Sequence, residues 1–410
     1  MEIFKEYGVL ISILSLLFII AIIKIRYPFW NIQPVYHTYD FWRWLYWTPF
    51  VFYRHGPVKT KFYDPIQVKT KEYIEVEPET FNQCIHLIQG HYLETDRILS
   101  VISKKYMDAH LTGFNEPAFL SIYRPFSPLE NRKDMDIPYE DIEGLIVSRP
   151  SKIYLKTEDK SIEESVYFWD FLCAKGKDAK NVRRKLLQTN EFHQYRKNPS
   201  IRISIWKEEV TLSKGVVPFV QFKTYTYYLQ MRKPPKLPAG YDCVRVYKEH
   251  TQLLFDSLYK GGFDFSLIPD FGHILALIQS KVWMVYLLRK KETVCGIYFF
   301  KDLHLHYEDL DDETTASTRS VDDLGNSIHL IASIQNVDSP LFYLGYLYSL
   351  SLILRWNPKY RILLVEDCAD NGEILRRWAR QPIFVTDTAY FFFNYFYPRT
   401  FSASKSLILI

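Results

Sequence analysis

An uncharged apolar segment near the N-terminus constrains this sequence most strongly. Residues 8–23 read GVLISILSLLFIIAII. With its flanks at 8–25 the segment is long enough to cross a hydrocarbon core of about 30 Å. It lacks the polar face of a helix that covers a soluble core. A cleaved signal peptide is the alternative, but no small-residue cleavage site follows the segment. The sequence therefore predicts one retained transmembrane helix, residues 1–26.

The charges that flank this segment predict its orientation. Lys24 and Arg26 follow it, whereas Glu2, Lys5 and Glu6 precede it. Positive residues favour the cytosolic side of a membrane. We therefore expect a single-pass membrane protein with the rest of the chain on the cytosolic side, in a host or viral membrane.

Composition excludes several classes of function. The chain of 410 residues carries 51 Lys and Arg against 47 Asp and Glu, and this net charge of +4 does not indicate nucleic-acid binding. The five cysteines lie far apart with no CxxC pair, which indicates free thiols and no metal site. His304 and His306 have metal-ligand spacing, but we interpret them as structural. The aromatic fraction of 17% fits an aromatic core, or aromatic walls around an apolar ligand.

Hydrophobic periodicity predicts an α+β chain in two halves. The Pro-rich segment 231–240 is the best linker, and the sequence shows no repeat between the halves. Helices are predicted at 81–92, 98–110, 177–195, 248–259, 271–279, 341–356 and 372–378. Strands are predicted at 119–123, 142–148, 165–173, 201–205, 216–228, 283–289, 294–300, 328–334, 361–366 and 389–397, and the acidic segment 308–323 is predicted to be a loop.

Residues 27–35 carry the first resemblance to a known family. They read YPFWNIQPV, which resembles the aromatic-FWxxQPV segment that opens the catalytic core of N-myristoyltransferases. The resemblance implies that Tyr27, Phe29 and Trp30 lie over the CoA moiety of an acyl-CoA. Pro28 stands where cellular members usually have Lys. A plain aromatic surface arm is the alternative.

Residues 171–182 carry the second resemblance. They read FLCAKGKDAKNV, similar to the family's FLCVHKKLRSKxLA at a strand end and helix start. Main-chain N–H groups and Lys side chains at a helix start can hold a diphosphate. The resemblance implies that the main-chain N–H groups of Phe171 and Leu172 form the oxyanion hole. It implies that CoA is bound by Cys173, Ala174, Lys175, Lys177, Lys180, Asn181 and Val182. Asp178 stands where the family has Arg, and a solvated basic helix start is the alternative.

The C-terminus carries the third resemblance. Asn394 and Pro398 match the family's YLYN…P…LxLQ ending, and twelve residues follow Pro398. The resemblance implies that the α-carboxylate of Ile410 is a general base. An apolar tail can raise the pKa of such a carboxylate by burial. A simple apolar edge strand is the alternative.

Weaker similarities concern the acceptor. Residues 91–96 (HYLETD) are similar to the family's acidic HYVEDDD loop, which implies acceptor contacts by Tyr92, Glu94 and Asp96. Asn336 resembles part of the family's FYNV strand. Residues 180–218 look closest to the myristoyltransferase-like proteins of large DNA viruses. Within them Glu208, with Glu209 beside it, falls where cellular enzymes carry a small Thr-Ala-Gly patch at the acceptor site.

The resemblance implies two GNAT-like (acyl-CoA N-acyltransferase) lobes after the transmembrane helix. Residues 27–235 are expected to bind acyl-CoA and residues 236–410 a protein or peptide acceptor. The implied function is membrane-anchored transfer of a fatty acyl group, myristoyl by analogy, from acyl-CoA to a protein amine such as N-terminal glycine, with no metal. The alternatives are a catalytically inactive structural protein and an acyl-CoA-binding module, and Asp178, Glu208 and Glu209 favour the inactive protein.

Overall fold

The computed structural model describes residues 2–92, 98–125, 141–156, 161–230, 233–258, 262–307 and 325–410. The helices in these ranges are α1 Glu2–Arg26, α2 Pro78–His91, α3 Lys104–Leu111, α4 Ala179–Lys197, α5 Thr251–Leu258, α6 Phe271–Gln279, α7 Ser339–Trp356 and α8 Asn371–Arg377. The predicted acidic loop at 308–323 lies outside the described residues.

The described residues also form seventeen strands. In chain order they are β1 Phe50–Val51, β2 Val68–Glu72, β3 Ile98–Ser100, β4 Phe119–Tyr123, β5 Gly144–Lys156, β6 Ser161–Ala174, β7 Ile203–Glu209, β8 Val220–Tyr228, β9 Tyr241–Arg245, β10 Phe265–Ile268, β11 Trp283–Lys290, β12 Thr293–Tyr307, β13 Gly325–Gln335, β14 Tyr360–Glu366, β15 Phe384–Phe393, β16 Tyr395–Phe396 and β17 Ser406–Ile408. The predicted α+β composition is confirmed.

One predicted helix is wrong at its start. Residues 98–110 begin as strand β3, which pairs antiparallel with the end of β12. The helix α3 starts only at Lys104, where the Ser103 hydroxyl accepts a hydrogen bond from the Tyr106 N–H and caps it. A distant strand partner therefore overrides the local helical spacing in the first part of this segment.

A single sheet joins the two halves of the chain. Across the described residues, its main path runs β17-β10-β5-β6-β7-β15-β8-β14-β13-β12-β11-β9. The segment 231–240 lies between β8 and β9, so the proposed boundary falls between strands that both belong to this sheet. The division into lobes at 27–235 and 236–410 stays a prediction.

The sheet contains an internal repeat that the sequence does not reveal. In the first half the antiparallel pair β5 and β6 is followed by α4 and by β7, which pairs parallel with β6. In the second half the antiparallel pair β12 and β13 is followed by α7 and by β14, which pairs parallel with β13. Each antiparallel pair contains a register shift, near Leu145 and Val147 in one and near Phe299 and Phe300 in the other.

The two repeats exchange their last strands. β8 follows β7 in the chain but pairs with β14, whereas β15 follows β14 but pairs with β7. β8 and β15 also pair with each other and so close the centre of the sheet. Each half therefore needs a strand of the other half to complete its hydrogen bonding.

Helix α4 packs on the first half through a polar face. Asn190 lies buried and bonds to Ser121 and Ser148, which point from β4 and β5. Glu191 is also buried and accepts a 2.9 Å hydrogen bond from the Ser204 hydroxyl on β7. Since each of these groups has a partner, the highly charged sequence of α4 still supports a buried face.

The prediction of a transmembrane anchor is wrong. Residues Glu2–Arg26 form the helix α1, whose described apolar side chains other than Ile23 are exposed. Within the described part of the chain, no helix has both the length and the hydropathy needed to cross a membrane. The last turn of α1 carries the charged Lys24 and Arg26.

Two expectations depended on that anchor and are contradicted with it. They are the single-pass membrane localisation, with the catalytic region on the cytosolic side, and the membrane contact through residues 8–25. The helix itself makes few contacts with the remaining chain, because Ile23 alone is partly buried among residues 10–26.

We expect deletion of residues 1–26 to leave the rest of the fold intact. The helix buries little surface, so the melting temperature should stay within about 2 °C of the parental value in a thermal melt. Deletion of residues 1–35 is the matched control, because it also removes the buried Phe29, Gln33 and Val35. That longer deletion should cost at least about 3 kcal/mol. A large loss of stability in the shorter deletion would contradict the prediction.

Burial raises the pKa of Glu191 from an ordinary 4.5 to about 8. The folded chain therefore keeps this proton at pH values where the unfolded chain has lost it, so stability falls as the pH rises from 4.5 to about 8. The slope is up to about 1.4 kcal/mol per pH unit. Glu191→Gln should remove this slope in urea unfolding at several pH values. Glu164 is exposed, so Glu164→Gln should leave the slope of unfolding free energy against pH unchanged. Equal slopes in the two variants would contradict the role assigned to Glu191.

Candidate active site

A cavity of about 490 Å³ lies where strand β6 separates from β7 and strand β13 separates from β14. β6 pairs with β7 only as far as Trp169 and Trp206, although both strands continue. β13 likewise pairs with β14 only as far as Leu330, before its own end at Gln335. Residues on both sides of these separations line the cavity, including 168–172 and 206–210 from the first pair and His329, Ile331, Leu364 and Glu366 from the second.

A β-bulge places Phe171 and Leu172 at the wall of this cavity. The register of β5 and β6 shifts between Leu145 and Val147, so that Phe171 and Leu172 interrupt the regular ladder. Phe171 has a φ of 50°, a strained conformation for a bulky residue. Its N–H donates a 2.9 Å hydrogen bond to Oδ1 of Asp170. Both Phe171 and Leu172 line the cavity, as the oxyanion-hole prediction requires.

Asp170 forms a buried charged network at the bulge. Its Oδ2 lies 2.6 Å from Nη2 of Arg149, and its Oδ1 accepts a 3.2 Å hydrogen bond from the Tyr92 hydroxyl. Burial opposes ionisation of this carboxyl, but Arg149, Lys301 and the Phe171 N–H outweigh it and hold its pKa below the usual range. Asp170 is therefore an anion that fixes the bulge.

A second charged network lies at the other side of the cavity. Nζ of Lys207 is 2.6 Å from Glu366 and 2.5 Å from Glu209. Burial lowers the pKa of Lys207, but the two carboxylates raise it well above its usual value. Nε2 of His329 lies 3.4 Å from Glu366, and burial lowers the pKa of this imidazole well below normal. Lys207 is thus held as a cation beside a neutral His329.

The end of the chain threads into the same cavity. Leu407, Ile408 and Leu409 are buried, and β17 pairs parallel with β10. The main-chain oxygen of Ile410 accepts a 3.3 Å hydrogen bond from Nζ of Lys301. Burial lowers the pKa of Lys301 to about 8, even though Asp170 acts in the opposite direction. Ile410 and Lys301 therefore meet inside the cavity.

The aromatic arm reaches the cavity through one residue. Trp30 stacks on Trp206 with ring centroids 5.0 Å apart, and Trp206 also stacks on Trp169. Tyr27 and Phe29 do not line the cavity, because Tyr27 stacks on Tyr39 and Phe29 is buried beside Phe62. Of the three predicted aromatic contacts, Trp30 alone lines the cavity, and their contact with CoA stays a prediction.

The structure gathers the predicted CoA residues at the end of β6 and the start of α4. Cys173, Ala174 and Val182 are buried. Lys177 and Lys180 are exposed at the helix start, whereas Lys175 is paired with Asp141 at 3.0 Å.

Asp178 immediately precedes α4. Its carboxylate accepts a 3.0 Å hydrogen bond from the Asn181 side chain rather than capping the helix. The binding of CoA by this group stays a prediction.

The predicted acceptor residues are scattered. Tyr92 and Glu208 line the cavity, but Glu208 bonds to Trp206 and Ser213. Asn336 is exposed and does not line the cavity. Glu94 and Asp96 lie outside the described residues.

Sequence reasoning missed the charged residues that dominate the site. These are Arg149, Asp170, Lys207, Lys301 and Glu366. Each stands in or beside an apolar strand segment, as in VYFWDFL and GIYFFKD. Charges are rarely buried without a partner, so a lone charge in such a segment is a signal that could have identified them.

No protein-family model matches the sequence, and no curated protein matches it. Solved structures do match. N-myristoyltransferase of Saccharomyces cerevisiae with bound myristoyl-CoA aligns with a TM-score of 0.67 and 11% identity over 93% of this chain and 99% of that chain. Another structure of the yeast enzyme, with bound myristoyl-CoA and inhibitors, aligns with a TM-score of 0.65 and 12% identity over 92% and 91% of the two chains.

The chain has the N-myristoyltransferase fold. The predicted GNAT-like α+β fold is thus confirmed without its transmembrane helix. At this identity the similarity establishes the fold alone, because one fold can carry several functions. The further likeness to viral myristoyltransferase-like proteins rests only on residues 180–218.

Removal of Lys207 should destabilise the fold by leaving Glu366 buried without its cation. We expect Lys207→Met to cost about 3–5 kcal/mol in urea unfolding. The double variant Lys207→Met/Glu366→Gln should recover much of this loss, because both charges are gone. Lys197→Met, which breaks a partly exposed pair with Glu75, should cost less than about 1 kcal/mol. Equal losses for the two single variants would refute the assigned role.

Proposed function

We propose that this chain is an acyl-CoA-dependent N-acyltransferase that moves a fatty acyl group, myristoyl, to a protein amine, N-terminal glycine. The observation that carries the proposal is the meeting of the Phe171–Leu172 bulge with Ile410 in one cavity. Acyl transfer to an amine needs donors for a developing oxyanion and a base for the amine proton. The N-myristoyltransferase fold supports acyl-CoA as the donor.

The bulge supplies the proposed oxyanion hole. The N–H groups of Phe171 and Leu172 stabilise negative charge on the thioester oxygen during attack. Asp170 now accepts the Phe171 N–H, so this donor becomes available only when the carboxylate turns toward Arg149, its 2.6 Å partner. Removal of one such donor typically lowers the rate by about 10²–10³.

Ile410 supplies the proposed base. An N-terminal amine has a pKa of about 7.7–8.0, so it must lose a proton before it can attack. The α-carboxylate of Ile410 accepts that proton. Glu208 and Glu209 are weaker candidates, because Glu208 is held by Trp206 and Ser213 and Glu209 by Lys207.

The start of α4 supplies the proposed CoA site. Lys177 and Lys180 are exposed beside the N–H groups of the first helical turn and attract the diphosphate. Lys175 joins them once released from Asp141, and Trp30 forms the aromatic wall. The exposed Asp178 opposes this attraction in part.

The deciding experiment is incubation of the full chain with myristoyl-CoA and a Gly-initiated peptide. Release of free CoA together with an acylated peptide would support the proposal. Tight binding of myristoyl-CoA without release would indicate a binding module. Absence of both would indicate an inactive protein that keeps the fold, and would overturn the proposal.

We expect one Gly appended after Ile410 to abolish most activity. It displaces the carboxylate by about 3.3–3.6 Å. The rate should fall by about 10²–10⁴, the usual contribution of a general base, while binding of myristoyl-CoA is unchanged. Ile410→Leu keeps the carboxylate in place and serves as the control with near-parental rate. If the extended chain works at the parental rate, Glu208 and Glu209 should be tested next.

A further inference from the structure

Lys301 occupies a position that suits an attacking amine. It stands on β12 and lines the cavity together with Phe171 and Leu172. Its Nζ donates a 3.3 Å hydrogen bond to the main-chain oxygen of Ile410, the residue proposed as the base. An amine, a base and the oxyanion donors therefore share one cavity before any acceptor is bound.

The cavity contains a second lysine in a different environment. Lys207 is enclosed by two carboxylates at 2.5 and 2.6 Å, which hold it as an ammonium group without a free electron pair. Within the described part of the chain, no carboxylate side chain lies within ion-pair distance of Lys301, whose Nζ bonds to Ile410 instead, and burial lowers the pKa of Lys301 to about 8. At neutral pH a larger fraction of Lys301 is therefore the neutral, nucleophilic amine.

We propose that Lys301 is an internal acceptor, and that the chain transfers an acyl group from acyl-CoA to its own Lys301 Nζ. This inference rests on the proposed function, since it requires that acyl-CoA binds in the cavity. It adds a modification site within the catalytic centre and a reaction that needs no second protein.

The reaction balances without another reactant. The Nζ electron pair of neutral Lys301 attacks the thioester carbonyl carbon, a C–N bond forms, and the C–S bond breaks with its electron pair leaving on sulfur. The carboxylate of Ile410 takes the proton from Nζ and passes it to the CoA thiolate. The products are one amide at Lys301 and free CoA thiol.

The amide formed at Lys301 prevents further acylation of the same site. An amide carries no charge and cannot return to an amine without hydrolysis, so each chain accepts one acyl group. The attached chain remains in the cavity that an external acceptor must enter, and self-acylation therefore competes with turnover.

The pH dependence follows from the groups around Lys301. Below pH 8 its neutral fraction rises about tenfold per pH unit, so the initial rate of self-acylation should rise from pH 6 to 8. The charged and titratable groups that face it from the neighbouring elements are Asp170, Arg149, Lys207, Glu366, His110, His273, His329 and Ile410. Burial keeps the imidazoles of His110, His273 and His329 neutral across this range, because it lowers the pKa of each.

The test uses the full chain with myristoyl-CoA and no peptide, followed by intact-mass measurement and peptide mapping. We expect one acyl group per chain, located at Lys301, and no acyl group at Lys207. Lys301→Arg should lose the adduct while keeping the positive charge. Lys290→Arg changes an exposed lysine of the neighbouring strand β11 and should keep the adduct. Peptide mapping of the parental chain shows whether the acyl group is on Lys301 even if Lys301→Arg fails to fold.

Peptide turnover in parallel samples separates this inference from the proposed function. Turnover of a Gly-initiated peptide with no adduct at Lys301 would overturn the inference and leave the function standing. An adduct at Lys301 without peptide turnover would support the inference and overturn transfer to an external amine. Adducts spread over exposed lysines would indicate uncatalysed acylation and would also overturn the inference.

Discussion

The separation of two pairs of parallel strands governs the rest of this structure. Where β6 leaves β7, and where β13 leaves β14, main-chain groups lose their ladder partners and need new ones. β7 and β14 stay paired along their opposite edges, to β15 and β8. Between β6 and β7, and between β13 and β14, the gap stays open, and residues at both gaps line the same cavity. The position of the site is thus a consequence of backbone hydrogen bonding.

The cavity also concentrates buried charge, which is unfavourable unless it is paired. Two networks pair this charge. Asp170 with Arg149 lies at the first strand separation, and Lys207, also at the first, bonds to Glu366 at the second. Lys301 is influenced by both Asp170 and Glu366, yet its Nζ bonds to Ile410.

The sequence predicts the elements better than the site. Strand 119–123 and helix 271–279 are predicted to the residue, because their apolar patterns are regular and their ends carry clear signals. The start of 98–110 is wrong because β3 depends on a partner some two hundred residues away. The internal repeat is not detectable in the sequence, because its two copies share strand pairing but not residues.

The anchor and the site show two further reasons for error. The apolar segment 8–25 satisfies a rule about composition, but no helix among the described residues has both the length and the hydropathy to cross a membrane. The family motifs locate Phe171, Leu172 and Ile410 around the cavity, but they carry no information on Asp170 or Lys301. Those two residues matter through contacts between distant strands, which no local pattern encodes.

The strand exchange has a consequence for the order in which the chain can fold as it is synthesised. β7 ends at Glu209 but pairs with β15, which begins only at Phe384. Until β15 has been synthesised, the edge of β7 is open and the first half cannot close. Contacts so distant in sequence form slowly, and open strand edges invite aggregation. A chain that stops before β15 therefore leaves the edge of β7 exposed.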